Sequence, residues 1–123
     1  MIILIVDDDM DILELMADGF REAGFDVLSA SDGEKAYKTL TTTNVDVILS
    51  DVVMAPMDGF ELLVLAKDLL PNLPIFFMTG HPGRLANSKL LFEAFEGVLI
   101  KPFDLDIAIH EISAAMRAKC IAA

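Results

Sequence analysis

Asp7, Asp8 and Asp9 stand side by side directly after an apolar run, Ile2–Val6. One aspartate is enough to cap a helix, because free N–H groups and the helix dipole favour a carboxylate there. Three adjacent carboxylates repel each other unless something cationic sits among them. Mg²⁺ suits such a place: it is a hard ion that takes one or two carboxylates, keeps waters and accepts phosphate oxygens. Asp51 closes the third apolar run, over 45–49 and Ser50. Alone it reads as a solvated loop acid, but beside Asp7 and Asp8 it becomes a third carboxylate facing one pocket. Thr79 follows the run 75–78 and can donate its hydroxyl to a phosphoryl oxygen arriving there. Lys101 follows the run 98–100 and would be the only cation among several acids. As a point charge it can pair with Asp51 at rest and with a phosphoryl group afterwards.

These residues share a pocket only if the chain brings its apolar runs together as neighbouring strands. The runs 2–6, 27–28, 45–49, 75–78 and 98–100 are mostly continuous rather than alternating, as strands covered on both faces are. Helical spacing fills the intervals. Ile12, Leu13, Met16, Ala17 and Phe20 mark one face of the first helix, and Leu105, Ala108, Ile109, Ile112 and Met116 one face of the last. Ser31-Asp-Gly-Glu34 reads as a capping box, and Asp58-Gly-Phe-Glu61 resembles one. Gly24, Asn44 and Gly97 stand where helices are expected to end in a left-handed residue, and Pro71 and Pro74 stop the third helix. The resulting order, βαβαβαβαβα, predicts an α/β fold of three layers: a doubly wound, five-stranded parallel sheet flanked by five helices. In such a sheet ligands bind outside the carboxyl ends of the strands, where the acids, the threonine and the lysine fall.

Composition narrows the remaining possibilities. At 123 residues the chain is expected to be one domain, 1–123. Hydrophobic residues make up 54% of it, yet no apolar run approaches the roughly 18 residues of a membrane span. The N-terminus has no basic leader and reads as a buried first strand rather than a secretory signal. A net charge of −11 repels phosphate backbones and argues against direct nucleic-acid binding. The lone Cys120 allows no internal disulfide and suits a reducing cytosol, so a cytoplasmic location is expected. His81 reads as an exposed loop histidine, since no second histidine or cysteine completes a transition-metal set. Phe76 and Phe77 are most simply core, and Met54 and Met57 are packing residues.

Asp7-Asp8, Asp51, Thr79 and Lys101-Pro102-Phe103, one group at each of four strand ends, resemble the receiver domain of two-component response regulators. Val6-Asp7-Asp8, Asp51-x-x-Met54 and Met57-Asp58-Gly59 match the family's pattern too, and the resemblance runs the length of the chain in order. It implies a flavodoxin-like sheet of order 2-1-3-4-5. It implies that Asp51 accepts a phosphoryl group from a phosphohistidine of a sensor histidine kinase or phosphotransfer protein. Asp7, Asp8, Asp51 and the backbone carbonyl of Val53 would hold Mg²⁺ (or Mn²⁺), and Thr79 and Lys101 would bind the phosphoryl oxygens. A cis peptide before Pro102 is also implied. Such a domain is a signalling switch rather than an enzyme, catalysing only its own phosphoryl transfer and dephosphorylation, and phosphorylation-dependent dimerisation is left open.

Three features depart from the family pattern. Ala55 replaces the usual proline, with Pro56 next, so the loop is expected to be rerouted. Val98 replaces the usual switch aromatic. The segment Pro74-Ile-Phe-Phe-Met-Thr-Gly-His81 partly resembles the Phe-Ala-Thr-Gly subgroup, which includes many single-domain regulators, although Met78 stands where that subgroup has alanine. Three other readings compete with this one. A haloacid-dehalogenase-like phosphatase would use Asp7, Asp9, Thr79, Lys101, Asp104 and Asp106, but it leaves Asp51 unexplained. A flavin module needs a phosphate loop rich in Ser, Thr and Gly, where three aspartates would repel the ligand. A receiver-fold scaffold that is never phosphorylated is the third.

Overall fold

The computed structural model describes residues 1–80 and 95–122, with side chains of the last helix described through Lys119. Among these, β1 (Ile2–Val6), α1 (Met10–Glu22), β2 (Asp26–Ala30), α2 (Gly33–Thr42), β3 (Val47–Asp51), α3 (Gly59–Leu69), β4 (Ile75–Thr79), β5 (Gly97–Ile100) and α4 (Leu105–Ala122) follow in order. The helix expected between β4 and β5 lies outside the described residues, as does His81.

All strand pairs are parallel, in the order β2-β1-β3-β4-β5. Alternate side chains point to opposite faces, so a continuous apolar strand feeds two cores at once. Leu4, Val6, Ile48, Ile75 and Phe77 pack with Ala36, Leu40, Leu62, Leu63 and Ala66 of α2 and α3. Ile3, Ile5, Val47, Leu49, Phe76 and Met78 pack with Leu13, Met16 and Phe20 of α1 and with Ala108, Ile112 and Met116 of α4. Phe76 and Phe77 are therefore core, on opposite faces.

Aspartates set the helix starts. Asp9 caps α1 by accepting the N–H groups of Asp11 (3.1 Å) and Ile12 (3.3 Å), and Asp58 caps α3 through the N–H of Glu61 at 2.8 Å. The cap of α2 is Asp32, which accepts the Lys35 N–H at 2.8 Å, one residue later than the expected Ser31. The Ser31 hydroxyl instead meets the Lys35 Nζ at 3.0 Å. Each such cap stabilises its helix by about 1 kcal/mol.

Of the three positions expected to be left-handed, Gly24 alone is, at φ +99°. There the Gly24 N–H returns to Arg21 O and the Phe25 N–H to Phe20 O, closing α1. Asn44 has no positive φ, because α2 ends at Thr42 and its cap residue Thr43 is already in extended backbone. Gly97 opens β5 rather than ending a helix, and a Cβ there would lie 3.3 Å from the Phe76 ring.

Gly59 is a tight backbone joint between α3 and β3. A Cβ on it would lie 2.5 Å from the Asp51 backbone oxygen and 2.9 Å from Val52 Cα. Both are backbone atoms and cannot swing aside, so Gly59→Ala is expected to destabilise the fold by about 1–3 kcal/mol. Urea unfolding measures this, and an unchanged midpoint would show that α3 can shift away from β3.

Candidate functional site

The sheet order brings β1, β3, β4 and β5 side by side, so their carboxyl ends form one edge. Asp7 follows β1 with no exposed surface, and its N–H is tied to Ala30 O at 3.2 Å. Asp51 is the last residue of β3 and Thr79 the last of β4, both buried. Lys101 follows β5, its N–H donating to Thr79 O at 2.8 Å, and the Lys101–Pro102 peptide is cis.

Lysine 101 joins the two buried acids. Its Nζ lies 3.1 Å from Asp7 Oδ2 and 3.1 Å from Asp51 Oδ2. The other oxygens face backbone donors: Asp7 Oδ1 accepts the Asp9 N–H at 2.9 Å, and Asp51 Oδ1 accepts the Val53 N–H at 3.2 Å. Asp8 stays exposed, yet one carboxylate oxygen each from Asp7, Asp8 and Asp51 lies within 4.8 Å of the others.

This set is short of positive charge. Burial pushes the Asp51 carboxyl above its ordinary value, the charge of Asp7 adds to that push, and the hydrogen bonds and charge of Lys101 offset only part of it. For Lys101, burial alone would lower the pKa, but the hydrogen bonds and charges of Asp51 and Asp7 prevail and raise it. The ammonium is therefore retained while a carboxylate beside it remains under-neutralised. Three oxygen donors around one point, one of them open to water, fit a hard divalent cation that keeps part of its hydration shell.

Asp7, Asp8, Asp51 and Lys101 are thus brought together, with Thr79 at the same edge. Asp9 is turned away to cap α1. Val53 is exposed and presents its N–H to Asp51. The loop after β3 carries a second cis peptide, Ala55–Pro56, with Met54 buried and Met57 packed over Gly33. Val98 is exposed on β5. Asp104 receives the N–H groups of Asp106 (2.8 Å) and Ile107 (3.3 Å), as a helix cap does, so neither late acid joins the cluster a phosphatase would need. The side chain of Cys120 lies outside the described residues. Sequence reasoning passed over Ser50, a fully buried hydroxyl whose signal is one polar residue within an apolar strand.

A profile of the response regulator receiver domain family matches residues 3–113. The response regulator receiver protein CpdR of Brucella abortus is 34% identical over 110 residues, covering 89% of this chain and 92% of its own. Other matched relatives are much longer, the chain spanning 24% of one and 11% of another. A CheY-like receiver domain protein from Methanospirillum hungatei superimposes with a TM-score of 0.92 at 25% identity, over 99% of this chain and 98% of its own. TrrA of Thermotoga maritima, a response regulator solved in complex with Mg²⁺ and BeF, does so at 0.83 and 26% identity, over 92% and 96%. The chain belongs to the response regulator receiver domain family, the phosphoryl-accepting signalling domains of two-component systems. Members of that family work with histidine kinases or phosphotransfer proteins. No helix among the described residues is long and apolar enough to cross a membrane.

Because the folded site raises the Asp51 pKa, ionised Asp51 is less favourable there than in the unfolded chain. Its effect on stability is absent below the ordinary value of about 3.9, and stability is lost as pH rises through the raised value. Without divalent ions at pH 7, Asp51→Asn is expected to melt above the wild type. The gap should close as the pH falls below about 4. Thermal unfolding in EDTA across that range measures it, and an equal or lower melting temperature at pH 7 would show that Lys101 already compensates.

Proposed function

We propose that Asp51 is the phosphoacceptor of a single receiver domain spanning 1–123. In this reading Asp7, Asp8, Asp51 and the backbone carbonyl of Val53 hold Mg²⁺ or Mn²⁺. The observation that carries the proposal is the placement of the Asp51 carboxylate, 3.1 Å from the Lys101 ammonium and clustered with Asp7 and Asp8. The Mg²⁺–BeF complex of TrrA supports the same assignment by similarity.

When bound, the metal supplies positive charge to the oxygens of the transferring phosphoryl group. The chain's own residues do the rest. A carboxylate oxygen of Asp51 forms the new O–P bond while the P–N bond of the donor phosphohistidine breaks in line, its electron pair leaving with the imidazole. Lys101 exchanges its contact with Asp51 for one with a phosphoryl oxygen, and Thr79 donates its hydroxyl to another. The acyl phosphate is later hydrolysed, which resets the switch. The domain turns over no substrate other than its own aspartate, and its working compartment is the cytoplasm. The donor is a sensor histidine kinase or a histidine phosphotransfer protein. Loss of the Lys101–Asp51 contact alters the segments after β3 and β5, which changes the surface offered to a protein partner. Val98 stands exposed on β5 without the usual aromatic, so a threonine–aromatic coupling does not operate here in its usual form.

Incubation with acetyl phosphate and Mg²⁺ is expected to add one phosphoryl group, seen by intact mass. The gain should be absent without Mg²⁺ and in Asp51→Asn. Lys101→Ala should slow it by about 10²-fold, the scale of losing one positioned charge at a transition state. A gain that persists in Asp51→Asn would move the acceptor to Asp7 and overturn the assignment. No gain in the wild type with either acetyl phosphate or a phosphorylated histidine donor would favour an unphosphorylated scaffold.

A further inference from the structure

Ser50 has no exposed surface, and its neighbours across the sheet, Val6 and Phe77, both belong to the core beneath α2 and α3. Consecutive strand residues face opposite sides, so its side chain lies on the far side of the sheet from the Asp51 carboxylate. A hydroxyl in such surroundings costs free energy unless it is hydrogen-bonded, and a small apolar residue would fill the space without that cost. The Ser50 Oγ donates to the Asp51 backbone oxygen at 2.9 Å.

The same oxygen is approached from α3, where only the missing Cβ of Gly59 leaves room for it. The Gly59 N–H donates to Val52 O at 2.9 Å, one residue further on. The peptide group between Asp51 and Val52 is therefore held at its N–H by Met78 O of β4, at 3.2 Å, and at its oxygen by the Ser50 hydroxyl, with the start of α3 packed against that oxygen. Beyond it the chain turns so that the Val53 N–H meets Asp51 Oδ1 at 3.2 Å. A tilt of that peptide group moves the Asp51 carboxylate and Val53 together.

We propose that Ser50 is a positioning residue for the phosphoacceptor. Its hydroxyl fixes the Asp51–Val52 peptide group from the side of the sheet away from the chemistry, and so sets where the carboxylate and Val53 stand in the acidic cluster. This rests on the reading of Asp51 given above. A group that orients a ligand without touching the metal is typically worth 10–100-fold in affinity or activity, and the low end fits a single neutral hydrogen bond.

Three variants test it: Ser50→Ala, which removes the hydroxyl; Ser50→Thr, which keeps it; and Leu63→Ala, which opens a cavity in the same core and leaves the hydroxyl in place. For each folded protein, Mg²⁺ affinity is measured by calorimetry and the phosphorylation rate with acetyl phosphate at saturating Mg²⁺. Ser50→Ala is expected to lose about tenfold in both. Ser50→Thr should recover most of both, and Leu63→Ala should lose stability with neither changed. Wild-type affinity and rate in Ser50→Ala, however unstable the protein, would overturn the proposal. So would equal losses in Leu63→Ala, or a folded Ser50→Thr no better than Ser50→Ala. If the wild type takes no phosphoryl group while Ser50→Ala still loses Mg²⁺ affinity, Asp51 is not the acceptor but the positioning role of Ser50 stands.

Discussion

One ammonium shared between two buried carboxylates is the interaction on which the rest depends. Lys101 reaches Asp7 and Asp51 at equal distance, from strands that are not neighbours of its own. Buried ion pairs contribute little net stability, because desolvation offsets most of the attraction. This one leaves Asp51 short of neutralisation, with Asp8 close by. A site in that condition is receptive to a divalent cation and, with the cation, to a phosphoryl group. The same lysine that steadies the resting carboxylates is placed to notice the new charge.

The fold supplies the geometry that this arrangement needs. Parallel pairing stacks the carboxyl ends of β1, β3, β4 and β5 along one edge, so residues up to 94 positions apart meet there. Two cores hold the sheet from both faces, which limits how far a charged group at the edge can drag its strand. Six of the aspartates are divided between two jobs. Asp9, Asp32 and Asp58 cap helices, leaving Asp7, Asp8 and Asp51 for the cluster. The joint between Gly59 and the Asp51 carbonyl then ties α3 to the strand that ends in Asp51.

Much of this was legible in the residues. Continuous apolar runs announced a sheet covered on both faces, and acids with one lysine at the run ends marked the functional edge. The strand order and the Lys101–Pro102 cis peptide followed from the family resemblance. Other features were not legible, for physical reasons. Ser31 and Asp32 are both good caps, and the sequence pattern cannot tell which one the chain uses. Asn44 is a common helix terminator, but α2 had already run out into extended backbone. Gly97 looked like a terminator because glycine serves both left-handed turns and close packing, and here it makes room for Phe76. Ser50 gave only a faint signal, since its hydrogen bond goes to a backbone atom that no side-chain pattern records.

The most direct test is a crystal structure of the protein soaked with Mg²⁺ and beryllium fluoride, which mimics a phosphoryl group on a carboxylate. The beryllium is expected on an Asp51 oxygen, with Mg²⁺ held by Asp7, Asp8, Asp51 and the Val53 carbonyl. Lys101 is expected to have moved from the Asp51 carboxylate to a fluoride. A beryllium on Asp7, or an ion bound with Asp51 still paired to Lys101 and unmodified, would contradict the Asp51 assignment.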